Sequence, residues 1–272
     1  MKKKGMVPKR AYQEAIEELI GFCGRSRYRG DIVALYLGGS VARGDFSPGR
    51  SDIDIYVVAG ANKEGIEAEF KAAAKRIAEE RLEELFKVHP EPIGVTVTTV
   101  SEIREGKSFL AAGFEYHNFM RTGKLLWGRD IKPLIPKPSR EEGRAAAKQA
   151  LKEICALLME QGPQFEEQNR ERLTYQLFAA IFRTACIALC GEGRYVGGKG
   201  EAVSAFREVY PQERELHDVL SQSFILWKEW ERRTLTDEEL RRLRGFSLEF
   251  VSRICGLWGV AAAWPKGPRI KR

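Results

Sequence analysis

Apolar residues gather in two kinds of pattern along this chain, and the change from one to the other divides it. In the first half, Ile32 to Leu37 is an unbroken apolar run, and Ile55 to Val58 is a second run just past a Pro48-Gly49 turn. Runs of this length bounded by turn residues read as buried strands. A helix from Pro8 to Tyr28 precedes them. A long charged helix from Lys63 to Phe86 follows, with Ile66, Phe70, Ala73, Ile77 and Leu85 at helical spacing. Ile93 to Val100 alternates as a further strand, and Lys107 to Arg121 is helix-like.

The segment Lys132-Pro-Leu-Ile-Pro-Lys-Pro138 breaks both patterns and marks the best boundary, giving domains of residues 1–135 and 136–272. Beyond it almost everything is helix. Ser139 is a candidate N-cap for a helix running to Gln161, and Phe165 to Cys190 carries an apolar stripe of Tyr175, Phe178, Ala179, Phe182, Cys186 and Leu189. Further helices are expected over Lys199 to Tyr210, Pro211 to Arg233, and Asp237 to Val260, with Thr236 capping the last and Trp227 and Trp230 in the core. The fold class is therefore α+β, a sheet with helical cover followed by an all-α helical bundle.

The chemistry concentrates between the first two strands. Gly38 and Gly39 let the chain turn tightly after Leu37, and Ser40 opens a short helical stretch that ends near Gly44. Exposed backbone N–H groups and the Ser40 hydroxyl at such a turn suit oxyanions, and an inward-pointing Arg43 adds charge. Asp52 and Asp54 are separated by one apolar residue at the start of the second strand, so both side chains leave the same face. Adjacent carboxylates repel unless a cation neutralises them. Hard oxygen ligands beside a phosphate turn favour Mg²⁺, which keeps waters and bridges to substrate phosphates. Gly-Gly-Ser alone is usually only a turn, and Asp-x-Asp alone is more often a solvated strand end. The two together, in this order, are far rarer.

With these residues the chain resembles the polymerase-beta-like nucleotidyltransferase superfamily, whose signature is Gly-Ser, a spacer of about this length, then Asp-x-Asp. Gly39, Ser40, Arg43, Gly44, Ser51, Asp52 and Asp54 stand where that pattern wants them. The resemblance implies a mixed sheet with metal-bound nucleoside triphosphate in its cleft. Gly123 to Ile131 looks like the closing segment of the nucleotidyltransferase domain in small-substrate branches, and the layout is closest to the two-domain aminoglycoside nucleotidyltransferases. The helical half resembles their C-terminal domain, on the strength of Gly191 to Ala202, where Lys199 matches a lysine that reaches the triphosphate with one extra residue in the turn.

One position departs from the family. A third acid is expected from a later strand beside the Asp-x-Asp strand, and by resemblance it falls at Gly94. The same face of Ile93 to Val100 offers Gly94, Thr96 and Thr98 and no carboxylate. Glu91 is near in sequence but precedes Pro92 in what reads as a solvated loop.

Composition narrows the class without naming it. A chain of 272 residues with 43% hydrophobic content can bury two modest cores. No apolar run reaches about 18 residues, and Met1-Lys-Lys-Lys lacks a signal peptide's apolar stretch, so no membrane role is expected. The five cysteines lack the paired spacing of a zinc site or disulfide framework and read as buried thiols in a cytoplasmic protein. Much of the net charge of +7 lies at the ends, in Lys2 to Lys4 and in Lys266, Arg269, Lys271 and Arg272, so nucleic acid is not an expected partner. His89, His117 and His217 are scattered and take ordinary surface or core roles, and Ser40 has no sequence-visible base that would make it a nucleophile.

The expectation is an Mg²⁺-dependent enzyme that moves AMP from ATP onto a hydroxyl of a small, aminoglycoside-like molecule. Asp52 and Asp54 hold the metal, and Gly39, Ser40, Arg43, Ser51 and Lys199 bind the nucleotide. The alternatives are an antitoxin-like protein adenylyltransferase with a protein partner, and a nucleotide-binding member without turnover because the third acid is missing.

Overall fold

A computed structural model describes residues 7–111, 113–160 and 169–260. The chain divides into two compact units with the boundary between Ser139 and Arg140. The charged termini lie outside the described residues, as do Gln161 and residues 165–168, the ends of two expected helices.

The first unit is built on four strands, β1 (Ile32–Leu37), β2 (Ile53–Ala59), β3 (Ile93–Thr99) and β4 (Lys124–Gly128), in the order β3-β2-β1-β4. β2 runs parallel to β3, and β1 is antiparallel to both β2 and β4. The sheet is therefore mixed, as the family resemblance implies. Its alternation sends Ile53, Ile55 and Val57 of β2, with Ile93, Val95 and Val97 of β3, into one core with Tyr12, Ala15 and Leu19 of α1 (Lys9–Arg25). Ile66, Phe70 and Ile77 of α3 (Lys63–Arg81) complete that face. Tyr36 and Tyr56 leave the opposite face and pack with Phe119 of α5 (Gly113–Thr122), joined by Ile103 of α4 (Val100–Arg104). The remaining short helix, α2 (Gly39–Arg43), fills the link between β1 and β2.

Two expected helices are shorter than their patterns. The long one stops at Arg81, and a 3₁₀ turn over Glu83–Lys87 then buries Leu85. The Lys107 to Arg121 stretch is broken by a 3₁₀ turn at Phe109–Ala111, so α5 begins only at Gly113. The Gly123 to Ile131 segment supplies edge strand β4. It is tied to β1 by Tyr36, whose hydroxyl donates to Asp130 Oδ1 at 2.6 Å and accepts from the Ile131 amide at 2.7 Å. Lys132 Nζ donates to the Met120 and Gly123 carbonyls, closing the C-terminal end of α5 where a cation is favoured.

The second unit is a bundle of α6 (Arg140–Glu160), α7 (Arg170–Gly191), α8 (Lys199–Val209), α9 (Arg214–Trp230) and α10 (Asp237–Leu257). α7 packs against each of the other four. By length and composition it could cross a membrane, a property that reading residue runs alone misses. Within the unit, 67% of its most apolar window is buried, so its apolar stripe serves the bundle core. Thr236 caps α10 in a reciprocal capping box with Glu239. Trp230 is fully buried, with its Nε1 donating to Glu171 at 2.9 Å. All five cysteines are buried and unbridged.

Candidate active site

The turn after β1 is shaped by what lies across from it on β2. Gly39 adopts φ 59°, and a Cβ there would stand 1.7 Å from Asp54 Oδ2. A Cβ on Gly38 would stand 2.4 Å from the Tyr56 ring. Only glycine at both positions lets the turn approach β2 so closely. The Gly38 amide donates to the Asp54 carbonyl at 2.8 Å, which fixes the turn against the strand. Asp54 therefore presents its carboxylate directly at the base of α2, whose first residues are Gly39 and Ser40. Gly44, at φ 82°, ends the single helical turn in the left-handed conformation.

Ser40 is half-buried, and its carbonyl accepts the Gly44 and Asp45 amides at 3.0 and 3.2 Å. Arg43 turns toward the α5 side, where Nε donates to Asp45 Oδ1 at 3.1 Å and a terminal nitrogen to Asn118 Oδ1 at 3.4 Å. Ser51 is buried and its hydroxyl accepts the Ser47 amide at 3.0 Å, so it braces the loop that delivers Asp52. Tyr12 of α1 braces the same loop, donating to the Ser51 carbonyl at 2.7 Å and accepting from the Gly49 amide at 3.1 Å. Burial holds the Tyr12 hydroxyl far above its ordinary pKa, so it stays a donor at any neutral pH.

Asp52 stands one residue before β2, partly exposed. The sequence pattern missed one neighbour, His89. His89 is only 4% exposed, its Nδ1 lies 3.9 Å from Asp52 Oδ2, and its Nε2 donates to the Arg50 carbonyl at 2.8 Å. A signal was available. β3 runs parallel to β2, so the residues entering the two strands are neighbours, and His89 enters β3 as Arg50 enters β2.

The register of β2 and β3 sets Gly94 beside Asp54. Asp54 pairs with Gly94, so a side chain at position 94 would leave the sheet beside Asp54. Glu91 does not replace it. It lines a groove with Lys71 and Lys75 of α3 together with Ile93 and Val95, on the opposite face of the sheet. Among the described residues, no group of three or more His, Cys, Asp or Glu side chains comes together as a metal site. Asp52 and Asp54 alone still suit a cation such as Mg²⁺, which takes one or two carboxylates and completes its shell with water and phosphate oxygens.

Lys199 belongs to the other unit. It opens α8, and its Nζ lies 3.9 Å from the centre of the Trp227 ring. At that position the Gly197 amide donates to Glu201 at 2.8 Å.

Residues 16–109, which span β1, α2, β2 and β3, match the family model described as a nucleotidyltransferase domain. This stretch of the first unit is similar to nucleotidyltransferase domains. No curated protein matches the chain. Among solved structures, the spectinomycin adenyltransferase AAD(9) from Enterococcus faecialis, determined with ATP and spectinomycin, shares the fold with a TM-score of 0.54 at 13% sequence identity. The likeness covers 88% of this chain and 99% of that one, so it takes in the helical bundle as well as the nucleotidyltransferase domain.

Proposed function

We propose that the protein binds a magnesium nucleoside triphosphate at Asp52, Asp54 and the Gly39-Ser40 turn, and transfers AMP from ATP to a hydroxyl of a small molecule. The observation that carries this reading is the contact of Gly39 with the Asp54 carboxylate, which joins an anion-binding turn to a metal-binding acid in one site. In the transfer, the acceptor oxygen bonds to the alpha phosphorus, the bond from that phosphorus to the bridging oxygen breaks, pyrophosphate leaves, and the hydroxyl proton passes to solvent. The chemistry supplied by bound Mg²⁺ is neutralisation of charge on the alpha and leaving phosphates. The backbone of Gly39 and Ser40 orients the triphosphate, and Ser51 and Tyr12 keep the Asp52 loop in place. Lys199 is a further candidate for the phosphates, and the likeness to AAD(9) supports adenine as the base and an aminocyclitol or aminoglycoside-like acceptor.

A second reading has an observation of its own. Gly94 pairs with Asp54, so position 94 supplies no positioned base of the kind that contributes about 10²–10⁴-fold to proton transfer. On this reading the protein binds nucleotide and turns it over slowly or not at all. Wild-type protein is incubated with α-³²P-labelled ATP, Mg²⁺ and a panel of aminoglycosides and spectinomycin, alongside Asp52→Asn and Asp54→Asn. The first reading requires label on an acceptor and pyrophosphate release that both variants abolish. Metal-dependent ATP binding without pyrophosphate release selects the second reading. Wild-type transfer by both variants removes the acid pair from the mechanism.

A further inference from the structure

We propose that His89 is a positioning residue for Asp52, holding the backbone that carries it so that its carboxylate stands where it would share a divalent cation with Asp54. The inference rests on the metal–triphosphate reading above.

Asp52 is gripped from three sides through its neighbours. The Arg50 carbonyl, two residues before it, accepts from His89 Nε2 at 2.8 Å. The Ser51 carbonyl accepts from Tyr12 at 2.7 Å, and the Ile53 amide donates to the Pro92 carbonyl at 2.9 Å. His89 and Pro92 lie on one short strap, His89-Pro90-Glu91-Pro92, so this strap holds the chain on both sides of Asp52. Two prolines fix φ along it and limit its freedom to yield. Because a carbonyl only accepts, Nε2 carries the proton, and the ring is locked with Nδ1 turned to Asp52 Oδ2 at 3.9 Å. That separation is too long for a hydrogen bond, so His89 acts on Asp52 through the backbone on either side of it and not as a direct partner of the carboxylate. His89 is 4% exposed and its own amide donates to the Leu85 carbonyl at 2.8 Å, so the ring is anchored inside the fold.

Groups that orient a metal-binding side chain typically change metal affinity or activity by about 10–100-fold when removed, without touching the substrate. His89→Ala, His89→Asn and His89→Gln test this with calorimetric titration of ATP in the presence and absence of Mg²⁺, each protein first checked by thermal melting. Glutamine places an amide nitrogen where Nε2 stands and reaches the Arg50 carbonyl, whereas asparagine is too short. The expected result is that His89→Ala and His89→Asn bind ATP with Mg²⁺ about 10–100-fold more weakly, bind metal-free ATP as wild type does, and are rescued by His89→Gln. Should the alanine protein fail to fold, the asparagine and glutamine pair carries the comparison. Equal Mg²⁺-dependent affinity in all variants overturns the proposal, as does a parallel loss of metal-free binding, which would make His89 a packing residue only. A wild-type protein whose ATP affinity ignores Mg²⁺ instead overturns the metal–triphosphate reading on which the proposal stands.

Discussion

Gly94 stands directly across the β2–β3 ladder from Asp54, at the position from which a third carboxylate would reach the same site. A Cβ there would have the Ile53 carbonyl at 3.9 Å as its only close neighbour and its backbone lies outside the left-handed region, so a side chain fits without strain. Gly94→Glu is expected to raise AMP transfer in the labelled-ATP assay by up to the 10²–10⁴-fold that a positioned base contributes, with ATP affinity little changed. Unaltered transfer in a variant that still binds ATP would show that the missing acid does not limit the reaction.

Gly39 and Gly44 both sit in the left-handed region, at φ 59° and 82°, but only Gly39 is crowded. An alanine Cβ at Gly39 would overlap Asp54 Oδ2 at 1.7 Å, whereas nothing lies within 4 Å of one at Gly44. Gly44→Ala should therefore lose about 1–2 kcal/mol of stability in urea unfolding and keep ATP binding. Gly39→Ala bears the same backbone cost and also displaces the acid, so it should lose ATP binding while still folding. Equal effects of the two changes on affinity would separate the turn from the site.

Much of the fold was legible because its signals are local. The apolar runs at Ile32 and Ile55, the Pro-rich break and the Thr236 cap need no knowledge of distant residues, and a covered sheet and a helical bundle follow from them, whereas the mixed strand directions came from the resemblance carried by the Gly39 to Asp54 motif. What the pattern missed depends on contacts far apart in sequence. The helix from Lys63 ends at Arg81 because Leu82 and Leu85 are drawn under the sheet, and His89 meets Asp52 only because two strands run parallel. Ser51 was legible as a motif residue, yet its buried hydroxyl accepting the Ser47 amide is a loop brace that no spacing rule predicts.

Glu102 gives the pH dependence a definite sign. The Lys63 ammonium at 2.7 Å, helped by the Thr99 amide and the Thr98 hydroxyl, pulls its carboxyl down from 4.5 to about 2. A carboxyl whose pKa falls on folding contributes stability that is full above the unfolded value and is lost as pH drops through the folded one. Glu102→Gln keeps the capping geometry of α4 and removes only the charge. It should be less stable than wild type at neutral pH, and the gap should close between pH 4.5 and about 2 in urea melts. A gap that stays constant through that range would show that the ion pair does not set the acid limb.

Lys199 and Trp227 offer a readout of whether the helical unit takes part in nucleotide binding. The ammonium lies 3.9 Å from the centre of the indole, close enough for a cation–π contact worth about 0.5–2 kcal/mol, and the ring is 4% exposed. A lysine that moves to a triphosphate must leave that ring, so ATP with Mg²⁺ should change tryptophan emission in the wild type. Trp227→Phe should remove the change, since the other tryptophans do not carry this lysine. Lys199→Met should also remove it, and should weaken ATP binding by more than its small loss of stability explains. If Lys199→Met lowers the melting temperature while ATP affinity and the emission response persist, Lys199 is a packing residue of the bundle, and the triphosphate is held by the nucleotidyltransferase domain without it.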